Sequence, residues 1–127
     1  MLFRSVPHLV LFAEAVEQID VEKLGRSLRH HRAFAPAGTN VNFIEIVDAM
    51  HLRIRTYERG VEEETLACGT GAVASALIAQ HAQAVHFPVH LSTRGGELVV
   101  SREADSNRLF LEGQVKQIFT GEFELWN

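Results

Sequence analysis

The sequence has little cysteine: Cys68 is the one cysteine among 127 residues. A lone cysteine forms no internal disulfide, which excludes a disulfide-stapled scaffold and makes the cytoplasm the default compartment. Basic runs with interleaved aromatics are missing, and the net charge is −4, so nucleic acid is not an expected partner. The first eight residues lack a basic stretch followed by a long apolar region, so no secretory leader is expected. Asp, Glu, Lys and Arg are absent from residues 66–93, yet Gly69, Gly71, His81, Gln83, His86 and Pro88 interrupt that stretch. It predicts a buried helix followed by a strand rather than a membrane span. The histidines, His30-His31 included, have no ligand spacing, so no metal site is expected. Low-complexity segments, linkers and internal repeats are missing too, and residues 1–127 read as a single domain.

What is present is ordinary for a globular domain: 46% hydrophobic and 22% charged residues, at a length that buries about two-thirds of the unfolded surface. A strand is predicted over residues 8–12. Asp20 is a candidate N-cap for a helix carrying Val21, Leu24 and Leu28 at helical spacing, with Arg26, Arg29 and Arg32 facing solvent. Residues 41–47 and 51–57 alternate as antiparallel strands with one wet face, Val41 and Phe43 opposite Asn42. Residues 60–71 read as a loop, in which Glu62-Glu63-Glu64 is a solvated charge run.

Residues 71–84 hold six alanines with Val73, Leu77 and Ile78, a helix apolar all round and therefore buried. Strands return over residues 89–93, 97–102, 108–112 and 115–125, with Gly95-Gly96 and Asp105-Ser106-Asn107 as turns. The predicted fold is α+β, a mostly antiparallel curled sheet or barrel wrapped around one buried helix.

The chemistry concentrates at Cys68, immediately before the predicted alanine-rich helix. Unpaired N–H groups and a partial positive charge at a helix N-terminus favour a thiolate over a thiol. Gly69 and Gly71 remove side chains beside it, so a carboxylate can approach the N–H groups of Gly69 and Thr70. The Gly-Thr-Gly is not a P-loop, because no Gly-Lys-Ser/Thr follows, and its spacing is wrong for a dinucleotide fingerprint.

The run Glu58-Arg59-Gly60, then Glu64-Thr65, then Ala67-Cys68-Gly69-Thr70-Gly71-Ala72 resembles the second-cysteine signature of the diaminopimelate epimerases. Pro7-His8, Asn40-Val41-Asn42-Phe43 and Phe119-Thr120-Gly121-Glu122 resemble further family segments, in the same order. The resemblance covers the chain and implies the C-terminal half of a two-domain enzyme. Its activity is the cofactor-independent inversion of an amino-acid α-carbon between two cysteines, LL- to meso-diaminopimelate, in lysine and peptidoglycan precursor synthesis. It implies Cys68 as one acid/base and His8 in support of catalysis. Asn40, Glu58, Arg59, Gly69 and Thr70 are implied to bind substrate.

Val6 and Ser5 depart from the family's Asn and Gly before Pro-His, and Val6 cannot hydrogen-bond a ligand. The family's other cysteine lies in an N-terminal half that this sequence does not contain. The chain alone is therefore expected to fold but not to epimerise, and to self-associate through apolar surface. A proline-racemase-like cysteine-pair racemase and a non-catalytic binding module of the same fold remain alternatives.

Overall fold

The computed structural model describes residues 6–126. The chain runs β1 (His8–Phe12), α1 (Val21–Arg29), β2 (Asn40–Ile46), β3 (His51–Glu58), β4 (Glu63–Thr65), α2 (Gly69–His81), β5 (Val89–Thr93), β6 (Gly96–Arg102) and β7 (Leu109–Gly113). The strands form one sheet in the order β1-β2-β3-β5-β6-β7. One edge of β3 is shared: His51–Arg53 pairs with β5, and Thr56–Glu58 pairs with the short β4.

Two pairs of neighbours are parallel, β1 with β2 and β3 with β5, and each is joined through a helix. Because β2 and β3 are antiparallel, the two pairs run in opposite senses while stepping the same way across the sheet. Right-handed crossovers then require the two helices to lie on opposite faces. The side chains agree. Val41 and Phe43 pack with Val16, Val21 and Tyr57 on the α1 face. Ile44, Leu52 and Ile54 pack with Ala72, Ala76 and Ala79 of α2 on the other. Successive strand residues point to opposite faces, so β2 is covered on both sides.

This corrects the expectation of a mostly antiparallel curled sheet or barrel around one buried helix. The described sheet is mixed, runs open from β1 to β7, and is neither closed into a barrel nor strongly curled. It carries two separate helices. Apolar alternation does not distinguish parallel from antiparallel partners, and a parallel pair needs a crossover long enough to hold a helix. The helix α2 is not buried all round either. Its small residues Gly71, Ala72, Ser75, Ala76 and Ala79 face the sheet, while Leu77 and Ile78 are exposed. None of the helices among the described residues is long and apolar enough to cross a membrane.

Asp20 caps α1 as expected, its carboxylate accepting the Lys23 N–H at 3.1 Å. The helix meets the sheet through Gly25 rather than Leu24, which is exposed. A Cβ placed on Gly25 would lie 2.5 Å from Tyr57 Cβ, so the close approach depends on glycine.

Two of the three acids of the expected solvated run are paired, while Glu63 between them is exposed. Glu62 pairs with Arg29 at 2.8 Å, which takes Arg29 out of its expected solvent-facing position. Glu64 pairs with the buried Arg55 at 2.7 Å. Residues 114–126, predicted to hold a strand, have no regular structure. An extended segment becomes a strand only with an edge to pair with, and the apolar side chains of Val115, Ile118, Phe119, Phe123, Leu125 and Trp126 are exposed.

Candidate active site

The starts of β1 and β2, the end of β3 and the N-terminus of α2 converge at one end of the sheet. Register sets this arrangement: His8 lies opposite Asn40 across the parallel pair, and Asn42 opposite Thr56 across the antiparallel one. Cys68 is the N-cap of α2, in an extended conformation, and its carbonyl accepts the Ala72 N–H at 2.9 Å. Its side chain makes no capping bond. The Sγ is instead 3.6 Å from Thr70 Oγ1. The N–H groups of the first turn have no partner within the helix and carry its partial positive charge.

Gly71 allows β2 to come this close. A Cβ there would lie 2.4 Å from Asn42 Oδ1 and 3.3 Å from Cys68 Sγ. Gly71→Ala is expected to lower stability by about 1–3 kcal/mol, the usual cost of overpacking a tight site. The same change should alter the rate at which Cys68 is alkylated. Thermal melting and a timed alkylation on the same samples check both, and an unchanged melting temperature would contradict the packing argument.

A line of hydrogen bonds joins the thiol to the sheet interior. His8 Nε2 is 3.1 Å from Thr70 Oγ1, and Asn42 Nδ2 is 3.3 Å from His8 Nδ1. Thr56 Oγ1 donates to Asn42 Oδ1 at 3.0 Å. Burial pushes the His8 imidazole below its ordinary value of 6.5, with the field of Glu58 opposing it. Asn42 was expected on a wet face but is fully buried. The reason is α2, which covers the face that alternation assigns to solvent. One signal was available: Asn42 is an amide between the core residues Val41 and Phe43.

The remaining expected residues form a second group. Asn40 Oδ1 accepts the backbone N–H of Arg59 at 2.6 Å, which fixes the turn leaving β3. Gly60 completes that turn with φ of 94°, where glycine is favoured. Glu58 accepts a hydrogen bond from Thr65 at 3.0 Å, which brings β4 into the site. The Arg59 guanidinium reaches the Ala37 carbonyl at 3.4 Å. The structure thus brings His8, Thr70 and Cys68 into one bonded line and ties Asn40 to Arg59 through the main chain. The Arg59 guanidinium has no bond to the thiol group among the described residues.

Gly69, Thr70, His8 and Val6 line a groove of about 380 Å³ whose other wall includes Val73 and Leu111. Cys68 sits in a separate tight recess with Thr56, Thr65 and Thr93, where only about 10 Å³ is free. A larger surface hollow of about 570 Å³ lies between Phe87 and the turn at residues 102–107 and includes none of these groups. The site therefore combines a thiol, a neutral imidazole and helix N–H groups beside an apolar groove. Such a set can hold an anionic group and move a proton at sulfur.

The fold is one shared with the phenazine biosynthesis PhzF family. A putative PhzC/PhzF protein from Clostridium difficile superimposes with a TM-score of 0.59 at 18% identity, over 83% of this chain and 37% of that one. A PhzF family protein from Enterococcus faecalis gives 0.56 at 16% identity, over 77% and 34%. Sequence narrows the class further. The family model described as diaminopimelate epimerase matches residues 4–118, and the chain belongs to the diaminopimelate epimerase family.

The chain is 48% identical over 119 residues to the diaminopimelate epimerase of Aquifex aeolicus, covering 92% of this chain and 43% of that protein. It is 39% identical over 121 residues to that of Methanocella arvoryzae, covering 95% and 42%. The chain thus spans less than half the length of these curated relatives.

Proposed function

We propose that residues 1–127 form the C-terminal, second-cysteine half of a diaminopimelate epimerase, and that Cys68 is one of the two thiols that invert the substrate α-carbon. The observation that carries the reading is Cys68 at the N-terminus of α2, with its Sγ beside Thr70 and, through it, His8. The likeness of Ala67-Cys68-Gly69-Thr70-Gly71-Ala72 to the second-cysteine signature supports the choice of half.

Loss of the α-proton from diaminopimelate leaves a carbanion whose charge spreads into the α-carboxylate. The N–H groups of Gly69 and Thr70 would hold that carboxylate, and donors fixed in advance stabilise the charge as it develops. Glu58 and Arg59 would engage polar groups of the substrate, on a turn held by Asn40. His8 supports the thiol through Thr70. Thiols carry out this proton transfer without a cofactor, and a free thiol suits the reducing cytoplasm.

Inversion needs an acid and a base on opposite faces of one carbon. This chain supplies one thiol, so the other belongs to a second half, in keeping with relatives more than twice as long as the matched region. In D2O with diaminopimelate, the chain alone is expected to leave the α-proton unexchanged. Mixing it with a separately made N-terminal half of a family enzyme is expected to start exchange. Robust inversion by the chain alone would overturn the two-thiol reading. Absence of exchange in a folded, associated mixture would overturn the substrate.

A further inference from the structure

We infer that Asn42 is a positioning residue that fixes the tautomer of His8, and so sets the direction of the hydrogen-bond line ending on Cys68 Sγ. The backbone carbonyl of Leu9 can only accept a hydrogen bond. That carbonyl lies 3.1 Å from one end of the Asn42 amide, which must therefore be the NH2 end. The same Nδ2 is 3.3 Å from His8 Nδ1. An amide nitrogen donates and does not accept, so Nδ1 must be the acceptor.

A neutral His8 then carries its proton on Nε2 and donates it to Thr70 Oγ1, at 3.1 Å. Thr70 has accepted from His8, so its own hydrogen is free to point at Cys68 Sγ, 3.6 Å away. The sulfur is thereby placed to accept a hydrogen bond from Thr70. It follows that His8 offers no lone pair towards Cys68 and does not take the thiol's proton through Thr70.

Thr56 donates to the other end of the amide, Oδ1, at 3.0 Å, in keeping with this orientation. A charged His8 would turn an Nδ1–H against the Asn42 N–H groups, so the geometry also keeps the ring neutral. Burial acts in the same sense, and Glu58 at the end of β3 is the charged group that opposes it. Cys68 is the other titratable neighbour, on the start of α2. Asn42 on β2, Thr70 on α2 and Leu111 on β7 are uncharged.

The consequence for catalysis rests on Cys68 being a reacting thiol, but the tautomer is read without substrate. Imidazole 15N spectra of the full chain are expected to show neutral His8 with its proton on Nε2. In Asn42→Asp a carboxylate replaces the donor, Nδ1 should gain the proton, and His8 should titrate at higher pH than in the native chain. In the mixture of halves, the same variant should lower kcat more than it changes KM and shift the pH–rate profile.

A native His8 that carries its proton on Nδ1, or is charged at neutral pH, would overturn the inference. So would an unchanged tautomer in folded Asn42→Asp. Should that variant not fold, the native spectrum still decides, and Asn42→Ser supplies a smaller change. The expected tautomer with no exchange in the mixture of halves would leave the Asn42 assignment standing and count against the epimerase reading alone.

Discussion

Replacing Glu64 by alanine is expected to cost about 3 kcal/mol of folding stability, read as a lower urea midpoint at unchanged slope. Its partner Arg55 has a side chain only 9% exposed, gripped at 2.7 Å by both Glu64 oxygens. The same guanidinium donates to the carbonyls of Val16 and Ile19, at 3.1 and 2.9 Å. It therefore ties β3 and β4 to the segment that leads into α1. Removing the carboxylate leaves a buried cation facing main-chain oxygens. Replacing both members by methionine is expected to cost much less, because no uncompensated charge remains.

Acid acts on the same pair. The hydrogen bond from Arg55, helped by Arg94, holds the Glu64 carboxyl below its ordinary value of 4.5. Between the folded and unfolded values the unfolded chain binds more protons. The pair's contribution is thus complete above 4.5 and lost as pH falls through the lower folded value. Urea midpoints from neutral to acid pH should fall more steeply for the native chain than for Glu64→Gln. Parallel curves would mean that the pair contributes no stability.

The second large effect is on activity. Cys68→Ser, in the mixture of halves, is expected to slow α-proton exchange by about 10²- to 10⁴-fold, the usual contribution of a positioned acid or base. Stability should move the other way or not at all. Cys68 occupies the N-cap of α2 without capping it, and serine is among the residues that cap best. A melting temperature no lower than that of the native chain, together with the lost exchange, would separate chemistry from packing. Loss of both together would mark Cys68 as a structural residue.

Local signals were legible in the sequence. The β1 strand, the Asp20 cap, the hairpin turns and the start of the alanine-rich helix each depend on a few adjacent residues. The position of Cys68 at that helix start was legible for the same reason. Signals that depend on a distant partner were not. Asn42 reads as solvent-facing until a second crossover helix covers its side of β2. Glu64 reads as one acid of a run until Arg55, nine positions earlier in the chain, meets it across β3 and β4. The β4 strand has only three residues and owes its existence to the free end of β3. At residues 115–125 strand propensity was present without an edge to pair with.

The contact between Gly71 and Asn42 has a consequence for how this sequence can vary. The two positions share one small volume, so substitutions there are epistatic. Alanine at 71 is disfavoured while an amide occupies 42, yet a residue as small as glycine at 42 would vacate the space that a methyl group needs. That exchange would restore the packing but remove the group that orients His8. Drift through this pair of positions can thus preserve the fold while changing how His8 is oriented, and the double substitution would separate the two.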